Sequence, residues 1–229
     1  VALLLIGFVA LYMLVRVIAH TVRLPDQVRQ FRERRRLARA SNSLFAALRA
    51  YFEGRYAKAE KAAAESIELK EYSGLAAVIA ARASHELRAY ERRDAYLARA
   101  AYYRDEDRTM RIVAKAELLL HARQYQEALA ALEQLPQKHT AALRLELRAQ
   151  QQARNWDRYI ELVNQLQRLE ALDESQATEL RRHAVGENIA RRARVPEELR
   201  TYWQRLGNRE RQDVKIAASG AHAFAQLGD

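Results

Sequence analysis

Side chains able to do covalent or acid–base chemistry are few and scattered in this chain. The six histidines, His20, His85, His121, His139, His183 and His222, stand apart from one another, in no HExxH or other metal-ligand spacing. Adjacent carboxylates occur at Asp105, Glu106 and Asp107, in a stretch between helical segments where charged side chains are solvated. No Gly-rich phosphate loop and no Ser nucleophile elbow is present. Cysteine is absent, which excludes disulfides, thiolate zinc sites, iron–sulfur clusters and cysteine nucleophiles. The expectation is therefore no catalytic residue, no metal ligand and no enzyme.

Binding chemistry remains. Two sets of residues are candidates. The first, Tyr51, Arg82, His85, Glu117, His121, Arg144, Arg148 and Gln151, falls at exposed positions of successive first helices in a helical repeat. In a solenoid such positions line a groove that holds a peptide or a partner helix. The arginines suit an acidic protein segment. No cofactor is required by the sequence. The second set, Arg29, Arg32, Arg34, Arg35 and Arg36, belongs to a cationic run suited to anionic lipid headgroups, at roughly 1 kcal/mol each.

The elements that position these residues are helical. Ala, Leu, Arg, Glu and Gln dominate, with seven Gly and three Pro in 229 residues, and no segment alternates polar and apolar residues with period two. Residues 1–15, VALLLIGFVALYMLV, carry no charge; extended to Val22, with Arg16 and His20 snorkelling, they form a transmembrane helix. The basic residues come after the apolar run and no cleavage site succeeds it, which argues against a signal peptide. From Arg16 to Arg39 there are eight Arg against one Asp and one Glu. That excess beside the apolar segment predicts that the rest of the chain lies on the cytoplasmic side, and it accounts for the net charge of +10 without nucleic acid as a partner. Pro25 is expected to open a separate basic helix over residues 23–43.

Over residues 44–172 the sequence repeats. Tyr56, Tyr90, Tyr125 and Trp156 succeed one another at intervals of 34, 35 and 31 residues, each just after a turn joining two helical segments. An aromatic at that place in a period near 34 is the signature of tetratricopeptide (TPR) repeats. Ala47, Ala81 and Ala116 in the first helices, and Ala59 and Ala128 in the second, are the small residues that let paired helices approach, and the four aromatics are expected to be largely buried. The turn glycine Gly54 is replaced by Arg88, Arg123 and Arg154, and Arg93 stands where a second-helix alanine is expected. Residues 173–229 continue the array irregularly: an Asp173–Gln176 capping pair starts a helix to about Ala193, Pro196 starts a short helix ending at Gly207, and a last helix runs from about Arg209 to Leu227. Gly228-Asp229 reads as the turn after a first helix, so the chain is expected to continue at both ends. The fold class predicted is all-α, a TPR-type helical-hairpin solenoid preceded by an N-terminal transmembrane helix.

With its apolar segment running into VRVIAHTVRLPDQVRQFRERRRLARA, then ALRAYFEGRYAKAEKAA and ELRAYERRDAYLARA, the chain resembles the HemY-type proteins of proteobacterial inner membranes; the late TYWQRLGNRERQD fits too. The resemblance implies a cytoplasmic TPR domain anchored in the inner membrane and a link to a late step of haem or porphyrin biosynthesis, with partners among the enzymes of that synthesis. Either a protein scaffold or a porphyrin carrier satisfies it; in the carrier the groove arginines would meet porphyrin propionates and His85 or His121 would be an axial haem ligand. A flavin-dependent protoporphyrinogen oxidase shares the name, but its activity is not implied, because no GxGxxG motif is present.

Overall fold

The computed structural model describes residues 2–100 and 108–227, with side-chain surroundings from Val28 onward and at a few earlier positions. Twelve helices and no strand occur among the described residues. They fall into two compact units, residues 1–107 and 108–229. Asp105, Glu106, Asp107, Gly228 and Asp229 lie outside the described residues.

The first unit opens with α1 (Ala2–Phe52), helical throughout. The separate helix expected at Pro25 is not formed. Restarting a helix there would orphan several N–H and C=O groups on either side, whereas running through the proline gives up one hydrogen bond and crowds one carbonyl. Among the described residues no helix is long and apolar enough to cross a membrane. The apolar segment 1–22, expected to be the membrane span, lies for the most part outside the residues whose side chains are described. From Val28 to Arg39 every residue of α1 is exposed, and Ala40, which follows them, is buried. From there α1 packs against α2 (Tyr56–Glu68) and α3 (Ser73–Glu86), and α3 pairs with α4 (Tyr90–Ala100). Leu44, Ala47, Ala63, Ile67, Ala76, Ile79 and Ala80 form the core. Ser66 ties α2 to α1 by donating its hydroxyl to the Ala40 carbonyl at 3.2 Å.

The second unit repeats the motif: α5 (Arg108–His121) with α6 (Tyr125–Glu133), and α7 (Thr140–Gln152) with α8 (Trp156–Arg168). Then come α9 (Glu174–Arg192), α10 (Pro196–Arg205), α11 (Asn208–Gln212) and α12 (Val214–Leu227). Asp173 and Gln176 form a reciprocal capping box at the start of α9, as their spacing predicts. The single last helix expected from Arg209 is instead two. Asp213 breaks it, because its carboxylate accepts the N–H groups of Lys215 (3.0 Å) and Ile216 (3.3 Å) and thereby caps a new helix.

All four aromatics are the first residue of the second helix in their pair. Two residues before each stands a left-handed residue: Gly54, Arg88, Arg123 and Arg154, with φ between 54° and 73°. In each turn the residue after it donates a backbone bond to the carbonyl five positions earlier, Arg55 to Ala50, Ala89 to Ser84, Gln124 to Leu119 and Asn155 to Gln150, at 2.8–2.9 Å. This is the Schellman closure, and the three arginines adopt it at the cost of left-handed strain that glycine avoids. Ala47, Ala59, Ala81, Ala116 and Ala128 are all fully buried, as their place at the helix crossings predicts. Trp156 is buried and Tyr56 and Tyr125 partly so, but Tyr90 is 47% exposed. The reason is Arg93, which fills the alanine site of that pair, is itself buried, and sets its guanidinium 5.1 Å from the Tyr90 ring centroid.

Candidate functional site

The predicted groove residues divide between the units. In the first, Tyr51 sits partly buried in an aromatic corner, with ring centroids 5.8 Å from Phe52 and 5.6 Å from Tyr56. It packs with Ala50, Ala59 and Ala83, so much of its ring is committed to the fold. Arg82 and His85 are partly buried on α3, the His85 ring edge-on to Tyr90 at 5.8 Å. In the second unit Glu117 is partly buried and His121 exposed, one turn apart on α5.

On α7, Arg144, Arg148 and Gln151 form an exposed stripe at spacings of four and three. They are kept outside because the opposite face, Ala142, Leu143, Leu145 and Ala149, is buried. Arg144 donates to the Ala171 carbonyl at 2.8 Å, so it also holds the turn that follows α8. On α1 the headgroup candidates Arg29, Arg32, Arg34, Arg35 and Arg36 are all exposed. Arg35 lies 4.8 Å from the Phe31 ring centroid and Arg36 pairs with Glu71 at 2.8 Å.

A concavity lies in the second unit, between α9 and α12. Its volume is about 830 Å³. Small residues line it, Gly186 and Ala190 from α9, Ala218 and Ser219 from α12, with Ile189 and Ala223 as apolar lining. His183 and His222 line it too, one from each helix, and the His183 ring stands edge-on to the Trp156 indole at 5.2 Å. Its charges are largely neutralised among themselves: Arg182 pairs closely with Glu179 and at 2.8 Å with Asp213, and Lys215 approaches Glu179 at 3.6 Å. The Arg182 guanidinium, bonded to the Asp213 carboxylate, holds that carboxyl below the usual range, and the N–H groups of Ile216 and Lys215 add to the effect.

His183 and His222 are not among the groove residues predicted from sequence, yet the repeat carries a signal for the first. Thirty-five residues after Arg148 comes His183, and thirty-five after Gln151 comes Gly186, so the stripe of α7 continues onto α9. Irregular spacing beyond Leu172 hides it.

The cavity is suited to shape recognition. Small side chains on both walls let a backbone or a flat ligand come close, and paired charges at the rim give direction without a strong net field. Among the described residues no group of three or more His, Asp or Glu is placed to hold a metal ion.

Compared with known proteins, residues 1–88 match the family described as HemY protein N-terminus. The match reaches Arg88, the left-handed turn residue after α3. No curated protein and no solved structure matches the chain.

Proposed function

We infer that this chain, a HemY-family protein by its residues 1–88, acts as a binding scaffold of TPR type whose first helices hold protein partners. The HemY family is associated with haem biosynthesis, so enzymes of that synthesis are the partners of first interest. The apolar segment 1–22 anchors the chain in the bacterial inner membrane, and the arginines after it keep the repeats on the cytoplasmic side. A reporter active only in the periplasm, fused after Leu172, is expected to be silent; activity there overturns the orientation.

The observation that carries the scaffold reading is the α9–α12 cavity, walled by small residues and continuous in register with the exposed stripe of α7. It suits a partner helix or an extended peptide. The test fills the cavity without touching its ion pairs. A Cβ at Gly186 meets nothing within 4 Å, and Ala218 is exposed, so Gly186→Leu with Ala218→Leu is expected to keep the fold, with unchanged helical content as the check. The full chain and the variant are purified from detergent-solubilised membranes, and co-purifying proteins are quantified by mass spectrometry. Proteins held by the parent chain are expected to fall at least tenfold with the variant. Retention at parental abundance rejects the reading.

One observation favours a porphyrin or haem carrier as the second reading: His183 and His222 line the same cavity. Haem titrated into the full chain would then give a Soret shift that His183→Ala and His222→Ala abolish. His85 and His121, the ligands considered from sequence, belong to different units.

A further inference from the structure

On α1, Phe31, Ala38, Phe45 and Phe52 recur at every seventh residue, with Arg35, Asn42 and Arg49 midway between them. All seven are exposed, Phe52 the most at 84%. Spacings alternating between three and four place them along one seam of the helix, about 32 Å long. A seam of that pattern is what one helix presents to another.

The later repeats show what this seam is missing. Thirty-four residues after Asn42, Phe45 and Arg49 stand Ala76, Ile79 and Ala83 of α3, all buried. They pack on Ala59, Ala63 and Ile67 of α2. One hundred residues on stand Ala142, Leu145 and Ala149 of α7, also buried, against Ala128, Ala131 and Leu132 of α6. At this face each of these first helices receives the second helix of the preceding pair. Among the described residues no helix packs on this face of α1, which stays open.

We propose that the seam of α1 is the docking seat of an acidic amphipathic helix from a partner protein, which takes against α1 the place that α2 takes against α3. The residues of the seam specify the occupant. Phenylalanines at positions 31, 45 and 52 ask for aliphatic residues at heptad spacing. Arg49, standing where α3 and α7 carry the small Ala83 and Ala149, and Arg35, two heptads before it, ask for Glu or Asp opposite them. Arg32, Arg34 and Arg39 flank the seam with further positive charge. Two copies of this chain leaving one membrane side by side would run parallel and set Arg35 on Arg35 and Arg49 on Arg49, which like-charge repulsion opposes. A lipid surface is also a poor occupant for the far end: Phe45 lies 23 residues past Val22, roughly 35 Å along the helix. The seat is a different surface from the α9–α12 cavity and stands or falls independently of it.

The test is photocrosslinking of the full chain in its native membrane, with benzoyl-phenylalanine in place of Phe45 or of Phe52. Both side chains are exposed, and the replacement keeps the phenyl ring that Phe52 sets against Tyr51, so the packing is expected to hold. Cross-linked peptides are identified by mass spectrometry. The expected product joins both positions to one segment of another protein, net negative and with apolar residues at heptad spacing. Arg35→Glu with Arg49→Glu is expected to reduce that product at least tenfold while helical content stays unchanged. Cross-links to a second copy of this chain, to lipid, to a basic or non-helical segment, or to nothing overturn the proposal, and so does a product that survives the double charge reversal.

Discussion

Gly220 of α12 lies so close beneath the indole of Trp203 that a Cβ on it would stand 2.4 Å from the Trp203 Cζ3 atom. Trp203 is in turn edge-on to Phe224, with centroids 6.1 Å apart, and packs on the cluster of Val185, Ile189, Leu199 and Ile216. The glycine is what lets α10 seat its tryptophan on α12. Gly220→Ala is expected to push the indole outward and to destabilise the second unit by about 1–3 kcal/mol, the usual cost of overpacking. Urea unfolding read by tryptophan fluorescence checks it, with a red-shifted native emission as the accompanying sign.

Substitution at the left-handed arginines is expected to have the opposite sign. Arg123 and Arg154 occupy the conformation that Gly54 takes in the first turn. Relief of left-handed strain outweighs the greater unfolded-state freedom of glycine, so Arg123→Gly and Arg154→Gly are each expected to stabilise by up to about 1 kcal/mol. Arg154→Val, adding a β-branch in the same conformation, is expected to destabilise. The order Gly above Arg above Val in denaturation midpoint is the outcome to look for.

Glu146 is buried on α7 and accepts from Lys138 Nζ at 2.8 Å and from Arg158 Nε and Nη2 at 3.2 and 3.0 Å. Arg158 also donates to Glu161 at 2.7 Å. Removing the carboxylate leaves two cations without their shared acceptor. Glu146→Ala is expected to cost about 1.5–3 kcal/mol, as for other hydrogen bonds to charged groups. Glu161→Ala, whose carboxylate is exposed, is expected to cost under about 1 kcal/mol. A double-mutant cycle with Arg158→Met separates the pair energy from the packing change.

Asp213 couples the second unit to pH. Its carboxyl is lowered in the folded chain, chiefly by the Arg182 guanidinium. Below the unfolded value of about 3.9 the unfolded chain therefore binds more protons than the folded one. The contribution is fully present above that value and is lost as pH falls through the lower folded value. The difference in urea midpoint between the parent chain and Asp213→Asn should be constant from pH 7 to 5 and shrink below pH 4.

Where the sequence is periodic, it is legible. Tyr56, Tyr90, Tyr125 and Trp156 locate every second helix of the four pairs, because an aromatic at a helix crossing leaves a fixed mark in the chain. Asp173 with Gln176 locates the start of α9 by the same directness of side chain to backbone. Asp213 is harder to read: its bonds to the N–H groups of Lys215 and Ile216 are local, but its strongest partner, Arg182, reaches it from 31 residues away, a tertiary bond with no local trace. The α9–α12 cavity escapes a reading of the sequence for a similar reason: it arises from Gly186, Ala190 and Ala218, whose smallness means nothing until two helices are brought side by side. The exposure of Tyr90 is the reverse case, since the arginine at position 93 is visible as a departure and the ring stands out because of it.

Because α1 passes without a joint from Val28 to Ala40, where packing begins, its angular setting is counted in residues. Each residue inserted or deleted in that stretch would rotate the part of the helix before it by about 100° about the helix axis and shift it by about 1.5 Å. Four residues nearly restore the original azimuth; two nearly reverse it. The azimuth of the exposed seam relative to the buried face that starts at Ala40 is therefore written into the length of the arginine-rich stretch, which works as a spline.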